Sequence, residues 1–290
     1  MGKVLMIILL VIVLIVAVFA VITVIAKIQF KQMVSEEVTQ FYEGIENPGG
    51  TVQPSDLEGL PLPVQNWLRQ SHIVGKERAI ATRTRQDITL RLKQEQAWMK
   101  GQVEQYFRID DPGFIWYADI KMAPFFHISG RDLYIDGRGH MLIKALSLFT
   151  VADGRGKEID QGTLLRYLAE IMWSPSAALN DYIQWEEIND TSAKATMTYG
   201  GVTASGIFTF NEQGEPLNFE AKRYGEFEGE YRLETWSCVI QEYQEFNGIK
   251  VPSRGELIWK LDTGDFHWYH FEVKELEYNM PEKYKKIKSI

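Results

Sequence analysis

The chain has 290 residues, 45% of them hydrophobic and 24% charged, with 31 basic against 39 acidic side chains. That acidic balance excludes nucleic acid as a general partner. A single cysteine, Cys238, excludes an internal disulfide.

From Val4 to Ala26 the chain is apolar except for Thr23 and carries no charge. A bilayer core of roughly 30 Å is crossed by about 20 helical residues. A cleaved secretory signal has an apolar region of only about 7–15 residues. The reading is therefore a single-pass transmembrane signal anchor over residues 1–27, with the membrane as a partner through residues 4–26. Lys3 stands on one side and Lys27 and Lys31 on the other, so flanking charge barely sets the orientation. The short stretch before the span favours a domain on the extracytoplasmic side. Phe30, Val34, Val38, Phe41 and Ile45 then recur at helical spacing. They predict an amphipathic stalk helix and linker over 28–50, ended by Asn47-Pro48-Gly49-Gly50.

Residues 51–290 read as one domain. Pro63 suits a first helical turn, and Val64, Trp67 and Leu68 make one apolar stripe. From about Ala79 the hydrophobic period changes to 2. Ile88 and Leu90, then Val103, Gln105 and Phe107, then Phe114, Trp116, Ala118 and Ile120 alternate with polar neighbours, and strands near 126–136 and 139–150 follow. A helical insert at 160–180 interrupts them. Asp160 is placed to cap its first helix, Leu164, Leu165, Leu168, Ile171 and Met172 supply an apolar face, and Ser174-Pro175 starts a second short helix. Six further strands are expected near 192–199, 202–210, 217–224, 231–246, 249–260 and 266–278. Trp236, Cys238 and Ile240 alternate in one of them, which makes Cys238 a buried, inert thiol.

Short turns between strands imply antiparallel pairing, and so long a sheet must curl to hide its edges. The expected fold is α+β and mainly β: an N-terminal transmembrane helix, then a curved antiparallel half-barrel wrapped around the mid-sequence helical pair. A closed barrel is the alternative.

Motifs for nucleophilic, nucleotide-dependent or zinc chemistry are missing, so no catalytic residue, metal ligand or cofactor is assigned. His267 and His270 stand three apart in a strand and are expected to face opposite ways. Asp-Gly-Arg-Gly occurs at 136–139 and again at 153–156. It reads as two tight turns, or as anion nests with an arginine beside each. Lys283, Lys285, Lys286 and Lys288 form a basic tail, either solvated or resting on an anionic surface. Arg131 and Asp132 must face opposite sides of their strand, and one of them is expected to meet a charge on the helical insert. There Arg166 and Glu170 share a helix face. Arg131, Asp132, Arg166, Tyr167, Glu170 and Trp173 are the candidate ligand-binding residues. They form either an internal ion network or the polar end of a ligand pocket.

Several runs are characteristic together: Leu60-Pro61-Leu62-Pro63-Val64, Gly113-Phe114-Ile115-Trp116, Arg131-Asp132-Leu133-Tyr134, Arg166-Tyr167-Leu168-Ala169-Glu170 with Trp173-Ser174-Pro175, Arg223-Tyr224 and Val251-Pro252. They resemble an uncharacterised bacterial family of membrane-anchored or lipoprotein-like proteins, a domain of unknown function, over most of residues 60–280. The resemblance implies a bacterial envelope protein at the inner membrane and brings no catalytic residues. In element order the chain is more loosely similar to the lipoprotein-carrier fold of the Lol type. The expected function is binding of an apolar or amphipathic ligand such as a lipid or lipoprotein. The alternatives are a filled structural or protein-interaction domain, or an enzyme of unrecognised type. No protein partner can be named from the sequence.

Overall fold

The computed structural model describes residues 2–46 and 49–285. Asn47-Pro48 of the expected linker, and Lys286 and Lys288 of the basic tail, lie outside the described residues. A continuous helix α1 (Gly2–Phe41) opens the chain, and helix α2 (Leu62–Gln70) follows a short 3-10 turn. Six strands come next: β1 (Ala81–Leu90), β2 (Met99–Arg108), β3 (Gly113–Ala123), β4 (Phe126–Ile135), β5 (Arg138–Ala145) and β6 (Phe149–Gly154). Helix α3 (Lys157–Glu170) and two 3-10 turns, Ile171–Trp173 and Pro175–Leu179, separate these from seven more. The seven are β7 (Ile183–Asn189), β8 (Ser192–Tyr199), β9 (Val202–Phe210), β10 (Pro216–Phe227), β11 (Glu230–Phe246), β12 (Ile249–Leu261) and β13 (Gly264–Tyr278).

All thirteen strands form one antiparallel sheet ordered β6-β5-β4-β3-β2-β1-β13-β12-β11-β10-β9-β8-β7. Register shifts at Arg85/Gln86, Ile240/Glu242 and Leu257/Ile258 help it curl. The sheet is a half-barrel, open between β6 and β7. The alternative of a closed barrel fails because those two edges do not pair. They are bridged by α3, which runs between them in sequence and packs on β4 and β5 on one side and on β8, β9 and β10 on the other. Across the seam the β4–β5 turn meets the β8–β9 turn. Gly137 and Gly200 approach so closely that a Cβ on either would collide with the other's backbone.

The core has two parts. The inner one lies in the concavity of the sheet, where Leu164, Leu165, Leu168, Ile171 and Met172 are all buried. At about 1.5–3 kcal/mol per fully buried aliphatic side chain, this stripe is what holds α3 inside the sheet. The outer part lies on the convex face. There Phe30, Val34, Val38 and Phe41 of α1 pack on Ile80, Tyr106, Ile115, Tyr117 and Leu142. The segment expected to be a stalk is thus docked on the sheet. Lys27 pairs with Asp119 at 2.5 Å and Glu37 with Arg131 at 3.1 Å. The first part of α1 is exposed, and it is long and apolar enough to cross a membrane.

Local details differ from expectation in three places. Asp160 does not cap α3, which starts at Lys157. Its carboxylate accepts from Gly139 N at 2.7 Å and Arg138 Nη1 at 2.9 Å, clamping the β4–β5 turn. Only the first Asp-Gly-Arg-Gly run is a hairpin turn, because the second forms the end of β6 and the junction into α3. His267 and His270 do not face opposite ways. The bulge opposite Leu257/Ile258 skips Trp268 and brings both rings to Glu256, at 2.7 and 3.6 Å.

A chain starting at Lys27 keeps the docked helix and is expected to melt cooperatively. One starting at Thr51 uncovers Tyr106, Ile115 and Tyr117 and leaves Arg131 without Glu37. It is expected to aggregate or to melt well below the longer chain, as thermal unfolding monitored by circular dichroism would show.

Candidate functional site

Inside the half-barrel, α3 and the sheet enclose a cavity of about 410 Å³. Its walls come from the inward-facing positions of β1 to β5 and β10 to β13, and one face of α3 closes the side. Leu90, Met99, Ile120, Ile128, Ile143 and Leu257 make it apolar, and Trp116, Trp236, Trp259 and Trp268 add aromatic surface. A second concavity of about 610 Å³ lies on the convex face, lined by charged groups such as Asp87, Lys100, Lys121 and Arg254. It has no comparable apolar wall.

The pleat sends Asp132 inward, opposite Trp116. Its Oδ2 accepts from Arg166 Nη1 at 2.8 Å, and Arg166 Nε donates to Glu170 Oε1 at 2.8 Å. Gln105 Nε2 donates to Glu170 Oε2 at 2.8 Å. The guanidinium also lies over the Phe114 and Trp116 rings, 4.8 and 5.2 Å from their centres. Burial disfavours the Arg166 cation, but the Glu170 and Asp132 carboxylates outweigh it and hold the pKa above the ordinary value. Burial raises the Glu170 pKa, against the pull of Arg166.

Of the six candidates, the structure brings Asp132, Arg166, Glu170 and Trp173 to the cavity. Trp173 donates through Nε1 to the Pro252 carbonyl at 3.0 Å. Tyr167 lies on another face of α3. It is fully buried and bonds the Arg108 carbonyl and the Tyr182 hydroxyl, each at 3.1 Å. The Arg131 side chain turns outward to Glu37 and the His140 carbonyl, so only its backbone faces the cavity.

Arg223 was not among the candidates. On β10 it follows Phe219 and Ala221 on the inward series, so a charge at a core-facing position of a period-2 run was the signal available. Its Nε donates to the Gly162 carbonyl at 3.1 Å. Its guanidinium lies 5.2 and 5.8 Å from the Trp236 and Trp259 ring centres. Among the described residues no carboxylate lies within ion-pair distance of it. Burial pushes its pKa down to about 10, with Asp132 working against that shift and Arg166 with it. Trp236 Nε1 and Trp268 Nε1, also on the cavity wall, have no hydrogen-bond partner among the described residues. Cys238 lines the cavity too, and burial pushes its thiol up.

Fold and site together define a class: an open antiparallel half-barrel carrying a long apolar helix at its N-terminus and an apolar cavity with an ionic network at one wall. Residues 50–271 match a family of unknown function, DUF6544, and the chain belongs to that family. No curated protein matches its sequence. Among solved structures, a domain described as an outer membrane lipoprotein-sorting protein domain from Vibrio parahaemolyticus is similar at 9% identity and a TM-score of 0.37. The match covers 70% of this chain and 87% of that one. A beta-barrel-like protein of DUF1849 from Brucella abortus is similar at 13% identity and a TM-score of 0.28, covering 69% and 98%.

Glu170→Ala strips partners from Arg166 and Gln105 at once. Removing one member of a buried pair costs about 3–5 kcal/mol, and Asp132 remains, so the lower end is expected, against within about 0.5 kcal/mol for exposed Glu230→Ala. Denaturant unfolding compares them. Glu170→Gln keeps the shape without the charge. A carboxyl whose folded pKa is raised favours the fold below its ordinary value and loses that contribution as pH rises through the raised one. The wild type should therefore gain on Glu170→Gln as the medium is acidified through that window.

Proposed function

We propose that the chain is a membrane-anchored binding protein whose cavity takes an amphiphile with an acyl chain and an anionic group. In this reading residues 1–27 are the anchor, and the β domain of residues 51–290, with the docked part of α1, is the binding unit. The observation that carries it is Arg223: a half-buried cation beside Trp236 and Trp259 on the wall of an apolar cavity, with guanidinium donors left open to that cavity after Nε is used. An anionic oxygen in the cavity would accept from these donors, and such charge-assisted hydrogen bonds are stronger than neutral ones. The volume falls within the range of about 300–1,000 Å³ typical of small-molecule sites. Asp132 and Glu170 hydrogen-bond to Arg166 and act on Arg223 only at longer range, so no carboxylate occupies its free donors.

The binding reading is supported over an enzyme by what surrounds the carboxylates. They face a cation and an amide, and the one thiol in the cavity is held protonated by burial. It is supported over a filled structural domain by the volume itself. The extracytoplasmic orientation belongs to the same proposal.

The test uses the full chain in detergent with bromine-labelled fatty acid, which quenches tryptophans it touches. Quenching is expected to saturate, and Ile143→Trp, which fills the cavity, should abolish the saturable part. Arg223→Leu should weaken the fatty acid by about 1.5–3 kcal/mol, the worth of hydrogen bonds to a charged group, and the matching neutral alcohol far less. The same change should leave the melting temperature unchanged or higher, because a half-buried cation without an ion-pair partner is replaced by an apolar side chain on an apolar wall. Quenching that never saturates and ignores both substitutions would overturn the reading.

A further inference from the structure

Helix α1 and strand β3 run side by side in opposite directions. Phe41 lies against Gly113, Phe30 against Tyr117, and Lys27 reaches Asp119. Beyond Lys27 the helix enters its charge-free stretch. Beyond Asp119 the strand continues the same way to the β3–β4 tip, Met122-Ala123-Pro124-Phe125-Phe126. At about 3.3 Å per strand residue the tip lies roughly 10–20 Å past Asp119. At about 1.5 Å per helical residue that is level with roughly residues 14–20 of α1. The tip therefore reaches the depth of the apolar stretch itself.

Its side chains fit that depth. Phe125 is 100% exposed, in a left-handed backbone conformation (φ 65°) that bulky residues rarely adopt, and Phe126 is 40% exposed. Phe126 continues the inward series of Ile128, which with Ile120 lines the cavity, and exposed Met122 stands at the bulge that ends the β3 pairing. Leu92, itself on the cavity wall, continues the series of Ile88 and Leu90 and is 61% exposed. Phe149, opposite Ala145 on the neighbouring strand pair, is exposed at the same end. The cavity mouth and the tip thus share one apolar rim, and exposed Lys100 and Lys121 stand beside it. Apolar side chains backed by lysines are the composition of a surface lying in a membrane interface.

We infer that the β3–β4 tip and this rim are seated in the bilayer that α1 crosses, so that the cavity opens onto the lipid and loads from it rather than from water. The inference rests on the reading of α1 as a membrane span, and it does not depend on which amphiphile the cavity takes.

The full chain is reconstituted in phosphatidylcholine and phosphatidylglycerol vesicles whose acyl chains carry bromine. A nitrobenzoxadiazole label is placed at Phe125→Cys or, as the reference, at Gln213→Cys in the exposed β9–β10 loop. Both sites are exposed, so neither substitution touches the core, and Cys238 is buried away from the reagent. The Phe125 label is expected to shift to shorter wavelength and lose most of its fluorescence to the brominated chains, and the Gln213 label to do neither. A Phe125 label that behaves like the Gln213 label, on a chain that co-floats with the vesicles, overturns the seated rim and leaves the anchor standing. A chain that does not co-float overturns both.

Discussion

Two adjacent residues of β4 connect the three layers of this molecule. The pleat of a strand sends neighbours to opposite faces, so Arg131 and Asp132 cannot serve the same side. Asp132 points into the half-barrel and holds Arg166 of α3 at 2.8 Å. Arg131 points out and meets Glu37 of α1 at 3.1 Å. One dipeptide thereby fixes the inner helix to the sheet and the sheet to the outer helix. Both ion pairs are largely removed from water, and burial raises the pKa of Glu37 and lowers that of Arg131. Such pairs add little net stability compared with apolar packing. Their effect is on specificity, because a helix seated in any other register would strand a charge.

The position of α3 follows from topology and in turn decides where the cavity lies. An open sheet of thirteen strands has two edges, and the chain passes from one edge to the other through α3. Leu164, Leu165 and Leu168 pack fully buried in the inner core, together with the α2 residues Trp67 and Leu68 and with Phe208, and this part is filled. The opposite face carries Arg166, Ala169 and Glu170, which present less apolar bulk to the walls of β1 to β5 and β10 to β13. The ionic network occupies the boundary between the filled and the hollow parts, where its charges stay paired with each other and next to a volume open at the far end. Ala169, small and on the cavity side, leaves room that a larger residue would take.

What was legible in the sequence was whatever alternated or repeated. The apolar helix, most strands, the apolar face of α3 and the expectation that one residue of the Arg131-Asp132 pair faces the helical insert all follow from period and pleat. The two missed strands, β6 and β7, are the edges, and most of their side chains are exposed on both faces. Without a buried face a strand has no hydrophobic period to read. His267 and His270 were assigned to opposite faces by the same rule of alternation, and one bulge reversed it. Which of Arg131 and Asp132 turned inward was not readable from the pair alone, since the alternation of that strand admits either phase until its partners are known. Arg223 was visible as an arginine in an apolar series. The bulk of the cavity was not, because a hollow and a filled core are lined by the same residue types.

The docking of α1 also explains why its second half carries polar residues at all. A simple tether needs no particular face, yet Lys27, Glu37 and Ser35 each meet a partner in the β domain: Asp119, Arg131 and Lys283 respectively. With Phe30, Val34, Val38 and Phe41 packed between them, the helix has one rotational setting on the sheet. A helix that is continuous from its apolar stretch through this docked face transmits that setting along its whole length, because helices bend sharply only at identifiable breaks such as proline, and α1 contains none. The orientation of the β domain relative to the apolar stretch is therefore fixed by side-chain packing rather than left to a linker.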